Sequence, residues 1–250
     1  MAVARPRSSS SVPGIDWLRL SRAGGAAAFI FLAYSLATMV QIAVLGGPPS
    51  SAAEAFQVLQ QNKAVGLLRL DFPTVLVLPF YYLLFLGLFA ALKDIERTHA
   101  AIATGMIFIG LTLVLAMPTA LPLMGLSERY ATATSDAMRA HYLAAGEAVL
   151  ATDIWHGTGA YMGGLFVQVG AVWISLIMLR GVFSKLTAYV GIVTHGFDLV
   201  HVLLGPFLPR IAAIFMVIGG VGYPVWLWLV GRRLLRIGRA GGAEIVHPGP

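Results

Sequence analysis

Apolar residues run through six stretches of the chain, each close to the ~20 residues of helix that cross ~30 Å of hydrocarbon. They are Gly24 to Leu45, Phe72 to Leu92, Ala100 to Met124, Gly157 to Leu179, Leu186 to Leu204 and Ile211 to Gly231. The runs are continuous, whereas a barrel requires alternating segments of ~10 residues, so helices are predicted. The expected fold is all-α, a polytopic bundle of six transmembrane helices.

The polar intervals alternate between short and long. "KDIERTH" and "RGVFSK" are short links that imply antiparallel neighbours. Two longer intervals, Pro48 to Asp71 and Gly125 to Ile154, carry apolar positions at near-helical spacing, such as Ala55, Phe56 and Leu59. Amphipathic helices are expected in both, either as an outer cap or as a solvated loop with fraying ends. Asp136 is expected to cap a helix in the second, and Asp71 the helix that begins "FPTVL". Pro73, Pro79, Pro118, Pro122 and Pro224 should kink helices or mark their ends. No repeat relates the first three runs to the last three, which argues against an inverted-repeat transporter.

Composition places these helices in lipid. The chain is 58% hydrophobic and 11% charged, against about 25% charged in an average soluble domain. Residues 1–14 and 239–250 read as disordered cytoplasmic tails around a transmembrane domain at 15–238, with "DWLRLSR" as an interfacial lead-in. The first apolar run is longer than a signal peptide's 7 to 15 residues, so a retained helix is expected. There is no cysteine, hence no disulfide, thiolate ligand or cysteine nucleophile.

Charge sets the orientation. With the N-terminus inside, only Lys63, Arg69, Arg129, Arg139 and Arg210, five of the 17 basic residues, fall outside. Lysine and arginine favour the cytoplasmic side, so a multi-pass plasma (inner) membrane protein with both termini cytoplasmic is expected. The same asymmetry accounts for the net charge of +6 without nucleic acid, since the basic groups lie along a membrane boundary instead of one binding face. The bilayer is the expected partner; composition does not set an oligomeric state.

The fifth run carries the most chemistry. In "THGFDLVHVLLGP", His195, Asp198 and His201 fall within an arc of about 120° together with Thr187, Gly191 and Thr194, at about 100° per residue. That stripe should face the bundle, because a charge at the bilayer centre costs about 2.5 to 3.5 kcal/mol even on lenient scales. Three readings stay open: helix-to-helix hydrogen bonds, a site for protons or a small lipophilic ligand, and a metal site. A metal, if bound, would draw on His195, Asp198 and His201, although six residues separate the two histidines by ~9 Å of rise. Asp153, His156 and Gln168 are secondary candidates, with Asp153 read as the cap of the fourth helix. Gln41, Tyr81 and Tyr82 are further polar groups within the runs. Gly159, Gly163, Gly164 and Gly170 form a small face suited to close helix packing. No phosphate-binding glycine loop, G-x-S-x-G elbow or HExxH is present.

Three stretches, "AEAFQVLQQNKAVGLLRLDF", "MLRGVFSKLTAYVGIV" and "GGVGYPVWLWLVGRRLLRIG", resemble a widespread bacterial group of six-helix membrane proteins. That group, common in actinobacteria and bacilli, is catalogued as a domain of unknown function. The resemblance spans residues 20 to 238; it implies the fold and carries no chemistry. Seven-helix metal-dependent membrane hydrolases differ in helix count and in their histidines, two of which sit four apart on a late helix. The leading expectation is a protein that binds a small ligand or protons in an outward-facing polar cavity. The alternatives are an intramembrane enzyme, with or without a metal, acting on a lipid or isoprenoid, and a scaffold or partner subunit using the glycine face.

Overall fold

The computed structural model describes residues 16–154 and 156–245, and among them every regular element is an α-helix. Ten are present: α1 (Trp17–Leu45), α2 (Ala52–Gln61), α3 (Lys63–Arg69), α4 (Phe72–Val77), α5 (Pro79–Leu115), α6 (Ala120–Ala131), α7 (Asp136–Leu150), α8 (Thr158–Met178), α9 (Lys185–Leu204) and α10 (Pro209–Ile245). Five helical segments are long and apolar enough to cross a membrane: Trp17–Leu45, Phe72–Ala131, Thr158–Met178, Lys185–Leu204 and Pro209–Arg239.

The longest of the five folds back on itself. Glu96, inside "KDIERTH", leaves helical geometry at φ −146° and ψ 71°. Tyr82 Oη lies 2.8 Å from Thr112 Oγ1, and its ring is 4.8 Å from that of Phe108. In a continuous helix the 30 residues between Tyr82 and Thr112 would span about 45 Å. Helix α5 is therefore two antiparallel arms joined at Glu96, and the Glu96 carboxylate pairs with Arg180 of the α8–α9 link at the same end of the bundle.

The long helices close a ring in chain order. Helix α1 packs on the first arm of α5, the second arm on α8, α8 on α9, α9 on α10, and α10 on α1. Small residues set these approaches. A Cβ on Gly24 would lie 2.7 Å from Gly87 Cα, and one on Gly163 would lie 2.7 Å from Gly110 O; only glycine at these positions lets the backbones meet. Gly163 and Gly170 face the second arm of α5 and Gly159 faces Met117 just beyond its end, whereas Gly164 faces Val202 of α9. The glycine face that a partner subunit would have used is thus covered by this chain. Across the ring, Phe85 meets Trp226 at 6.3 Å between ring centroids. Buried Leu84, Leu88, Ile107 and Ile174 fill the rest of the core.

Both long intervals fold into helices and pack together as a cap at the end opposite Glu96. Its own core is Ala52, Phe56, Leu59 and Leu123. Ser51, Asn62 and Ser135 cap α2, α3 and α7, each accepting a first-turn N–H. Asp136 is thus the first residue of α7 and not its cap, because Ser135 precedes it with extended backbone.

Asp71 also differs from expectation. It makes no side-chain bond to its own helix, α4. Its carboxylate instead accepts Thr119 N at 2.5 Å, Thr119 Oγ1 at 2.9 Å and Ala120 N at 2.9 Å, capping α6 from 49 residues away in sequence. The third apolar run was expected to reach Met124, but α5 stops at Leu115 and α6 restarts at Ala120 beyond Pro118. Proline supplies no N–H and restricts the residue before it, which breaks the helix there.

The last apolar run was expected to end near Gly231, followed by a disordered tail from 239. Helix α10 instead continues to Ile245. Leu234 is buried, and Arg22 donates to Gly238 O at 2.7 Å, so α1 supports α10 beyond Gly231 as far as Gly238. Trp17 belongs to α1 itself and packs on Phe89, with Lys93 over its ring. The expected N-terminal tail and residues 246–250 lie outside the described residues.

Candidate functional site

Four side chains from three helices meet in the interior of the bundle: Gln168 of α8, His195 and Asp198 of α9, and Tyr223 of α10. Three residues apart on α9, His195 and Asp198 share a face. They are joined through their neighbours. Gln168 Nε2 donates to Asp198 Oδ2 at 2.5 Å and to Tyr223 Oη at 2.9 Å, and Tyr223 Oη donates to the same Oδ2 at 2.9 Å. The Gln168 carbonyl oxygen faces His195 Nδ1 at 2.9 Å.

With Asp198 ionised, these bonds admit one assignment of protons. A carboxylate only accepts, so Gln168 turns its amide NH2 and Tyr223 its hydroxyl proton toward Oδ2. The glutamine oxygen is then an acceptor, and His195 carries its proton on Nδ1. His195 Nε2 is left as a lone pair, and it is buried without a partner. Asp198 is asymmetric in the same way: Oδ2 collects two donors, while Oδ1 has no hydrogen-bond partner among the described residues.

Glycines allow the three helices to close around this set. A Cβ on Gly191 would strike Trp226 Nε1 and Ser175 Oγ, and one on Gly222 would strike Thr194 Oγ1. Trp226 consequently reaches over Gly191 and meets the His195 ring edge-on, with centroids 4.6 Å apart at 90°. Tyr223 closes another side of the imidazole at 5.2 Å and 88°. His195 is 0% exposed, whereas Asp198 and Tyr223 are half-buried.

The remaining candidates lie elsewhere. His201 Nδ1 donates to Ala212 O at 3.1 Å, tying the end of α9 to the start of α10 across the Gly205–Leu208 corner. His195, Asp198 and His201 therefore do not converge, and among the described residues no three His, Asp or Glu side chains form a metal-ligating group. The cause is the six-residue spacing, which carries His201 out of reach of His195. Asp153 and His156 pair with each other in the turn before α8, where Asp153 Oδ1 accepts His156 N at 2.7 Å and faces Nδ1 at 2.9 Å. Asp153 thus orders that turn, while Gly157 occupies the N-cap position of α8.

Gln41 donates to Leu68 O at 2.6 Å, and Tyr82 links the arms of α5. Tyr81 packs against Phe31 and Phe85. Tyr34 shares a 2.6 Å hydrogen bond with Thr74.

The sequence reading missed Tyr223. Its signal is the setting "GVGYPVW": a tyrosine well inside an apolar run, away from the interfacial belt where tyrosine is enriched, and next to a glycine. Comparison with known proteins adds no relative: no protein-family model, curated protein or solved structure matches the chain.

Proposed function

We propose that this is a six-pass membrane protein that binds protons, or a small hydrogen-bond-donating ligand, at Asp198 in a polar cavity reached from its capped end. The fold-back of α5 at Glu96 supports six crossings, which put both termini at the uncapped end. The excess of lysine and arginine there supports a cytoplasmic location in the plasma membrane, with the cap outside.

One observation carries the functional reading: Asp198 is a half-buried carboxylate inside the bundle with one oxygen anchored by donors from two other helices and the other oxygen without a hydrogen-bond partner among the described residues. Two donors hold Oδ2 in place, so Oδ1 is presented in a fixed direction. Intramembrane ionisable groups are functional sites by default.

Infrared difference spectroscopy across a pH titration of the reconstituted protein tests this. A protonated-carboxyl C=O band that grows as pH falls in wild type and is missing in Asp198→Asn is expected. Tyr223→Phe, which removes one donor to Oδ2, should move that band's midpoint to higher pH. Identical pH difference spectra for wild type and Asp198→Asn, with both proteins folded, would overturn the proposal.

A further inference from the structure

At the uncapped end, the α8–α9 link, the start of α9 and the Leu229 to Arg236 stretch of α10 border an open cavity of about 400 Å³. Its lining includes Val182, Ser184, Leu229, Arg232, Arg233 and Arg236, and no aspartate or glutamate lines it. We propose that this cavity binds a phosphate-bearing anion, as the headgroup of an anionic lipid or as a free phosphate. The proposal is independent of the Asp198 reading.

Sequence spacing organises the wall. Leu229, Arg232, Arg233 and Arg236 are at positions i, i+3, i+4 and i+7, one face of α10. That face changes along the helix axis from apolar at Leu229 to basic over the next two turns. An amphiphile with an acyl chain below and a negative headgroup above has the same polarity profile.

The charges are also uncommitted. Among the described residues none of the three arginines pairs with a carboxylate. Arg233 is fixed through Nε, which donates to Val182 O at 2.6 Å, and this ties the α8–α9 link to α10. Arg232 lies over the Trp228 ring, 5.6 Å from its centroid. Two of the three guanidinium groups are therefore positioned before any ligand arrives, which lowers the ordering cost of binding. Guanidinium forks match phosphate oxygens in pairs. The first turn of α9 adds the positive end of its dipole to the same cavity.

Native mass spectrometry of the full chain in detergent, with phosphatidylglycerol or phosphatidylcholine added, reads the site directly. Wild type should retain one phosphatidylglycerol in preference to phosphatidylcholine. Arg232→Gln/Arg236→Gln should lose affinity by about 30-fold, from about fivefold per basic residue near an anionic surface. The charge-preserving pair Arg232→Lys/Arg236→Lys keeps the charge without the fork and should bind between wild type and the Gln pair, which separates lost charge from lost fold. Lys93→Gln/Arg97→Gln, at the same end but outside the cavity, should change nothing.

A parallel thermal-shift series with inorganic phosphate distinguishes the sources. Stabilisation by millimolar phosphate that is lost in the Gln pair assigns the site to a soluble anion, and its absence beside lipid retention assigns it to a headgroup. Equal retention of the two lipids without a phosphate shift, or equal losses in the Lys93/Arg97 control, would overturn the proposal.

Discussion

Asp71 offers the sharpest test of how the cap is held to the bundle. It is 4% exposed, and Thr119 and Ala120, whose main-chain N–H groups it accepts, are 4% and 2% exposed. Asp71→Ala removes all three hydrogen bonds and leaves those two N–H groups buried at the start of α6. Each unsatisfied donor costs about 1 to 3 kcal/mol. Water entering the space left by the carboxylate recovers part of this, which places the net loss near 3 kcal/mol, above the typical ~1 kcal/mol of a solvated cap. Asp71→Asn keeps one acceptor oxygen and should lose about half as much.

Hydrogen exchange of the 120–131 segment, followed by mass spectrometry in detergent, reads this locally. A loss of about 3 kcal/mol in local opening free energy accelerates exchange by roughly a hundredfold. Lys63→Gln is the reference. It breaks the 2.6 Å Lys63–Glu128 pair onto the same helix, but both side chains are more than half exposed, and such pairs contribute about 0 to 1 kcal/mol. If Asp71→Ala speeds exchange no more than Lys63→Gln does, the buried carboxylate does not cap α6 and the reasoning fails.

Gly110→Ala should lower the melting temperature by an amount corresponding to about 1 to 3 kcal/mol, because the new methyl group would sit 2.5 Å from Gly163 O. Gly105→Ala on the same arm, where a Cβ meets nothing within 4 Å, should be neutral or slightly stabilising in the same melt. The Glu54 carboxyl is held below its ordinary 4.5, first by the Ser50 N–H and then by the Arg69 guanidinium. A depressed folded-state value stabilises the cap fully above the unfolded-state value and is lost as pH falls through the folded one. Wild-type α2 should therefore loosen at acid pH, and Glu54→Gln should remove that dependence; limited proteolysis of both proteins across pH 6 to 3, a window set by the ordinary carboxyl value, checks it.

Much of this architecture can be read from the sequence because lipid imposes it. The apolar runs from Gly24 to Leu45 and from Leu186 to Leu204 give helices ending at the expected leucines, since a spanning helix has to satisfy its own backbone. Positions governed by distant contacts were not legible. Asp71 stands at a local cap position, and its role depends on Thr119, which only the folded cap brings close. Gly24 and Gly87 carry no local signal beyond smallness, yet their contact sets the distance between α1 and α5.

The site was half legible. Polarity in an apolar run marks His195, Asp198 and Gln168 from sequence alone, but periodicity cannot say which helices are neighbours. Tyr223 therefore stayed hidden, and His201 stood with the stripe although a backbone carbonyl takes its proton.

The closure of the ring by α1 against α10 has a consequence for biosynthesis. Arg22 and its acceptor Gly238 are separated by 216 residues. At about 5 to 20 residues per second, roughly ten to forty seconds pass between the synthesis of the two edges. The first helix must wait in the bilayer with only α3, α4 and the first α5 arm beside it, and the stretch of its closing edge that takes Leu235 and Gly231 of α10, Gly25 and Ala28, carries no polar side chain that lipid would penalise during the wait. Asp198 is likewise inserted before Tyr223 has been made. The final helix thus completes both the wall and the polar cluster in one event, so a nascent chain halted before it is an open bundle with an uncovered carboxylate, the kind of intermediate that membrane quality control can recognise.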